Sequence, residues 1–256
     1  MVELGPVNQF LAPNPYIGNN LFHYCWGREI ADNKGYYLKT KKIEGFPSTY
    51  NDIPGKIVLD NELVTPSATQ MFDMEKIYNH PGKIFISGYP QRYEFYSFNK
   101  KNIKKWLFIE NEDQYESPNE DDVVMHIRLG DYTNYGWQMP IEYYQSILEI
   151  EKYKNAYIIT DDPNRPELKK LIDAGCIIKD NSRFGSMQHM ADFVFAKKSA
   201  KLILSPSTFS WWAAFLGDGL VYFPCIKYPW VDNPPKHEID LRVYDSDRYK
   251  FVYLKN

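Results

Sequence analysis

Residues 123–132 read VVMHIRLGDY. Val123, Val124, Met125 and Ile127 make a short apolar run that ends in His126, Arg128 and Asp131, with Gly130 just before the aspartate. A brief continuous apolar stretch with polar flanks is the pattern of a strand buried on both faces, which is how strands of a parallel sheet read. In such sheets ligands bind outside the carboxyl ends of the strands. The charged tip of this stretch is therefore the first place to look for chemistry.

Working outward, strand and helix patterns alternate through the C-terminal half. After VVMHI come a helical PIEYYQSILEIEKY (140–153) with Ile141, Tyr144 and Leu148 in register, a strand AYIIT (156–160), a helix PELKKLIDAG (166–175) and a strand CIIKD (176–180). MQHMADFVFAKK (187–198) places Met187, Met190, Ala191, Val194 and Phe195 on one helical stripe; KLIL (201–204) reads as strand, TFSWWAAFLG (208–217) as helix and GLVYFP (219–224) as strand. The alternation predicts an α/β fold with a mostly parallel sheet covered by helices on both faces. The N-terminal half is less regular: residues 20–32 read as a helix following the IGNN turn, and GYYLKT (35–40) and KIFISG (83–88) as strands. Between the halves, ENEDQYESPNEDD (110–122) carries seven acids in thirteen residues and reads as a linker. The expected division is 1–115 and 116–256.

The 256 residues carry a formal net charge of −3, which argues against nucleic acid or an anionic membrane surface as the main partner. Cys25, Cys176 and Cys225 are far apart, form no zinc-type spacing and read as free thiols in a reducing compartment. The N-terminus has no basic start followed by an apolar stretch, and no segment reaches the roughly 20 apolar residues of a membrane span. A cytoplasmic protein is expected. Phosphate loops of the GxGxxG and GxxxxGK[ST] kinds and the GxSxG elbow are absent.

Three strand exits carry polar clusters: His126 to Asp131, Thr160-Asp161-Asp162, and Ser205-Pro206-Ser207-Thr208. Hydroxyls and free N–H groups at a helix N-terminus suit an anion, and a guanidinium such as that of Arg128 suits a phosphate. Simpler readings stand beside these. Ser207 and Thr208 serve equally as an N-cap, Arg128 as a structural partner of Asp131, His126 as a satisfied core imidazole, and Asp161-Asp162 as a turn that caps the following helix.

Four blocks together resemble the alpha-1,2-fucosyltransferases of glycosyltransferase family 11: IGNNLFHYCWGREIAD, SGYPQRYEF (87–95), HIRLGDY, and YIITDDP with MADFVFAKKSAKLILSPSTFSWWAAFLG. The resemblance implies a GT-B-like α/β fold of two Rossmann-like domains facing a cleft, with the acceptor side in the first and the GDP-sugar site in the second. It implies inverting transfer of L-fucose from GDP-fucose to the 2-hydroxyl of a terminal galactose on a glycan, with no metal or other cofactor. Carried over residue by residue, the catalytic set is Arg128, Asp131, His126 and Asn19. Arg128 grips the diphosphate, while Asp131 organises its loop, because a carboxylate beside a guanidinium is a weak base. The GDP-sugar side takes Gly18, Asn20, Asp192, Ser207, Thr208 and Ser210, with Asp192 accepting the guanine N–H groups. Gln91 and Tyr89 fall on the acceptor side. One departure stands out: the family signature HxRRGDY has a second arginine where this chain has Leu129. That change opens two alternatives, a transferase for another GDP-deoxyhexose and a degenerate glycan-binding relative.

Overall fold

The VVMHI stretch is a strand over the residues predicted, Val123–Ile127, and every one of its side chains is buried. In the computed structural model, which describes residues 1–4, 17–65, 74–87, 90–226 and 240–254, this strand is the fifth in chain order, β5. The chain divides into two compact units, residues 1–110 with 230–242 and residues 111–229 with 243–256.

The first unit holds β1 (Val2–Leu4), α1 (Ile17–Lys34), β2 (Leu38–Lys39), β3 (Leu63–Val64), α2 (Met74–Asn79), β4 (Ile84–Ile86), α3 (Glu94–Ser97) and α4 (Lys100–Trp106). Its four strands run parallel in the order β2-β1-β4-β3. Helix α1 begins earlier than its apolar pattern suggests, so Gly18, Asn19 and Asn20 lie in its first turn and do not form a turn ahead of it. Trp26 on α1 stacks on Phe95 at 4.6 Å, and Tyr24 and Phe22 are fully buried, so aromatic rings fill much of this core.

The second unit holds β5, α5 (Gly130–Tyr135), α6 (Ile141–Leu148), β6 (Ala156–Thr160), α7 (Lys169–Asp173), β7 (Ile177–Ile178), α8 (Gln188–Lys197), β8 (Lys201–Ile203), α9 (Thr208–Leu216), β9 (Leu220–Cys225) and β10 (Tyr249–Tyr253). Its sheet is parallel throughout, in the order β7-β6-β5-β8-β9-β10. Numbered within the unit that is 3-2-1-4-5-6, the order of nucleotide-binding Rossmann folds, whose direction of winding reverses between its first and fourth strands. Here those strands are β5 and β8, so the chain segments leaving them flank the switch point.

The strand period of two sorts β5 between its faces. Val123, Met125, Ile127 and Leu129 belong to one apolar core with Ile141, Tyr144, Ile147 and Leu171 of α6 and α7. On the opposite face, His126 stacks on Phe209 of α9 at 5.1 Å, and Phe209 in turn meets Phe193 of α8 edge-on at 5.3 Å. Helix α9 is buried continuously from Ser210 to Leu216, with Trp211 stacked on Phe215 at 5.0 Å. Helix α6 is shorter than predicted, and it buries Tyr143 and Ile147 more fully than Leu148.

The acidic stretch is no loose linker. Tyr115 is buried against Phe184, Glu112 accepts from Lys197 at 2.7 and 2.8 Å, and the buried Asp122 accepts from Asn119 N–H and Asn155 Nδ2 at 2.9 and 2.8 Å. Paired carboxylates of this kind are part of the fold, because charge partners and hydrogen bonds offset their desolvation. Cys25 and Cys176 are buried and Cys225 is half-buried, and none of the three is in a disulfide. Among the described residues no helix is long and apolar enough to cross a membrane.

Candidate active site

Where β5 ends, its alternation carries on for two more residues. Leu129 follows the odd positions into the core and is fully buried, while Arg128 follows the even ones and keeps a quarter of its side chain exposed. Arg128 Nη2 donates to Asp131 Oδ1 at 2.7 Å, Nη1 pairs with Asp161 Oδ2 at 2.9 Å, and the guanidinium lies 5.5 Å over the ring of Tyr132. Asp161 Oδ1 also accepts the Leu129 N–H at 2.8 Å. Gly130 meets the same carboxylate: a Cβ there would lie 2.2 Å from Asp161 Oδ2.

Asp161 therefore shapes three consecutive residues, 128 to 130. Its partners are in the β5 loop, and no side-chain cap is found on the helical turn at Pro166–Leu168 that follows it, so it does not cap that turn as the DDP sequence suggests. The register explains the meeting. Ile127 pairs with Thr160 across β5 and β6, which brings the next residues, Arg128 to Gly130, beside Asp161.

The segment leaving β8 lies across the switch point. Ser207, extended at φ −127° and ψ 135°, caps α9 by accepting the Phe209 N–H on its side-chain oxygen at 3.3 Å. Thr208 opens the helix half-buried, and Ser210 is fully buried with its hydroxyl donating to the Ser205 and Ser207 carbonyls at 3.3 and 3.2 Å. Ser210 is thus committed to backbone, the Ser207 N–H donates to the Ser205 carbonyl at 2.7 Å, and ligand contact from this turn falls to Thr208.

Two bonds tie the loops together. His126 Nδ1 pairs with Ser205 Oγ at 2.7 Å, and Tyr132 OH donates to the Pro206 carbonyl at 3.0 Å. Burial, helped by the nearby Arg128 charge, lowers the His126 pKa to about 3. The imidazole is neutral at any working pH, held by Ser205 and Phe209, and this geometry suits a brace between the loops better than a proton carrier.

On α8, Asp192 sits half-buried beside the apolar residues Met190, Ala191 and Phe193. Burial pushes its pKa up to about 6, against the pull of Asn181, whose Nδ2 donates to Asp192 Oδ1 at 2.7 Å. Asn181 is itself buried at the exit of β7, a partner that no sequence motif announces.

In the first unit, Gln91 Nε2 donates to Asn19 Oδ1 at 3.0 Å, joining two residues 72 positions apart. Asn19 lies on the helix after β1 and Gln91 just beyond β4, and those strands are neighbours in the small sheet. Gly18 is buried and Asn20 half-buried in the same helical turn as Asn19. Tyr89 lies outside the described residues. Asp161, Asn181 and Tyr132 are the members that sequence reasoning did not place in the site; the polar strand exit TDD was the one available signal for Asp161.

No family model matches this chain, and no curated protein does. Among solved structures, a point mutant of Arabidopsis thaliana FUT1 in complex with GDP is similar over 86% of this chain and 69% of that one, with a TM-score of 0.51 and 10% identity. At that identity the likeness concerns the fold: the chain has the α/β, GT-B-like class with parallel sheets that its sequence predicts.

Proposed function

We propose that this chain is a GDP-sugar-dependent glycosyltransferase, and more closely an inverting fucosyltransferase that moves L-fucose from GDP-fucose to the 2-hydroxyl of a terminal galactose on a glycan. The observation that carries the reading is Arg128 and the N-terminus of α9 on either side of the β5/β8 switch point, joined through His126–Ser205 and Tyr132–Pro206. Arabidopsis thaliana FUT1, which shares the fold, was captured with GDP.

When the bond from sugar to diphosphate breaks, negative charge grows on the β-phosphate and positive character on the sugar C1. Arg128 and the first turn of α9 at Thr208 meet that charge with groups already in place, which is electrostatic preorganisation. The acceptor hydroxyl attacks C1 from the face opposite the leaving group, so the configuration inverts. Because these protein cations and dipoles receive the phosphate charge, the reading calls for no metal ion. Asp192 accepts from the guanine edge, and the resemblance puts Asn19 in the catalytic set, near the reacting hydroxyl, and Gln91 on the acceptor side. A cytoplasmic setting belongs to the same proposal. The alternative drawn from Leu129, a different GDP-deoxyhexose, finds no support in the geometry because that side chain points into the core.

The test is turnover with a panel of GDP-sugars and galactose-terminated acceptors. Arg128→Ala should lower kcat about 100-fold or more, as loss of one leaving-group donor does. A folded wild-type protein that binds no GDP and turns over none of the panel would sink the proposal.

A further inference from the structure

Arg128 has two carboxylate partners, and they are attached to the fold in different ways. Asp161 uses both oxygens, one on Arg128 Nη1 and one on the Leu129 N–H, and the space its Oδ2 fills is space that only a glycine at 130 leaves open. Asp131 reaches Arg128 through Oδ1 alone, from the first turn of the short helix α5, and its side chain is 40% exposed against 26% for Asp161. Two carboxylates on one guanidinium leave the cluster net negative. An arriving diphosphate must therefore replace one of them or meet their repulsion.

We infer that Asp161 is the positioning residue that fixes Arg128 for the donor, and that Asp131 is an exchangeable counter-ion that yields its place on Nη2 to the diphosphate. The inference rests on the proposed role of Arg128 in gripping a GDP-sugar. Asp161 is retained because its release would also break a backbone hydrogen bond. Asp131 lets go because it holds one contact at the solvent edge, where a phosphate oxygen of greater charge makes the same single charge-assisted contact. The two acids are thus opposed in effect, although sequence alone presents Asp131 as the organiser and Asp161 as part of a turn.

The experiment is calorimetry with GDP, and kcat and KM with GDP-fucose, on Asp161→Asn, Asp131→Asn, Gly130→Ala and Arg128→Ala, each checked by its melting curve. Asp161→Asn keeps an oxygen for the Leu129 N–H and so retains the fold, but it loses the ion pair. GDP affinity should fall about tenfold, the scale of one charge-assisted hydrogen bond, and kcat should fall with it. Gly130→Ala displaces the Asp161 carboxylate without removing a charge and should act in the same direction. Asp131→Asn should raise GDP affinity, because the diphosphate no longer has to displace a charge from Nη2. A purely structural role for both acids would not give opposite signs in equally stable proteins. Unchanged GDP affinity and kcat in folded Asp161→Asn overturns the inference, as does an Asp131→Asn protein that loses affinity as Asp161→Asn does. Arg128→Ala separates the two levels: if it binds GDP like wild type, the proposed function itself fails.

Discussion

Replacing Leu129 by arginine would complete the HxRRGDY signature, and on sequence alone it should strengthen a phosphate site. The structure predicts the reverse. Leu129 is fully buried in the core that includes Ile127, Met139, Tyr144 and Leu171. Removing the leucine forfeits about 1.5–3 kcal/mol of apolar burial, and an unpaired guanidinium in its place costs several kcal/mol more. A loss of roughly 5 kcal/mol or more approaches the whole stability of an ordinary domain, about 5–15 kcal/mol. Urea denaturation and a thermal melt measure this directly; the midpoint should drop on the order of 10–20 °C, or the protein should fail to fold. Leu129→Met keeps volume and apolarity and should cost less than about 1.5 kcal/mol. A Leu129→Arg protein with wild-type stability and faster turnover with GDP-fucose would refute the reasoning, since it would show the side chain on the phosphate side of the loop.

Four further outcomes are expected. The His126 pKa is depressed in the folded state, so the unfolded chain binds the extra proton. The associated stability is present above the ordinary histidine pKa of about 6.5 and is lost as pH falls from there toward about 3. His126→Phe should remove that part of the acid sensitivity in equilibrium unfolding, and no limb of the activity profile near neutrality should belong to His126. Asp192, with its pKa raised to about 6, has the opposite sign: its protonated form favours the fold at acid pH, and that contribution is lost as pH rises through about 6. If Asp192 accepts from guanine it must be ionised, so GDP affinity by calorimetry should weaken below about pH 6, and Asp192→Asn should abolish that step. Ser207→Ala removes the cap of α9 and should cost about 1 kcal/mol in denaturant unfolding. Ser210→Ala should lower stability but leave GDP affinity unchanged, because its hydroxyl is spent on backbone carbonyls.

Several elements were legible because their signal is local. The apolar run 123–127 and the AYIIT run are strands over the residues their sequence predicts. TFSWWAAFL is a helix because it is apolar on every side and capped by Ser207. Other features escaped because a charged or polar residue does not announce its partner. The acidic stretch 110–122 has the composition of a solvated linker, yet Lys197, Asn119 and Asn155 turn part of it into structure. Helix α1 extends back over Gly18-Asn19-Asn20, residues of weak helix preference, where packing outweighed local propensity.

By itself the sequence determined the alternation of strands and helices, and hence the parallel α/β class and the polar strand exits where chemistry was to be sought. Only the tertiary structure decided which of those exits meet. The order of the large sheet puts the ends of β5 and β8 side by side, and the β5/β6 register sets Asp161 against Arg128, Leu129 and Gly130 from 31 to 33 positions along the chain. It also decided the direction of Leu129: the strand parity is written in the sequence, but which face of β5 is covered by α6 and α7 is fixed by how the chain winds around the sheet. Side-chain periodicity is a property of a few neighbouring residues, whereas pairing and coverage depend on contacts between distant ones.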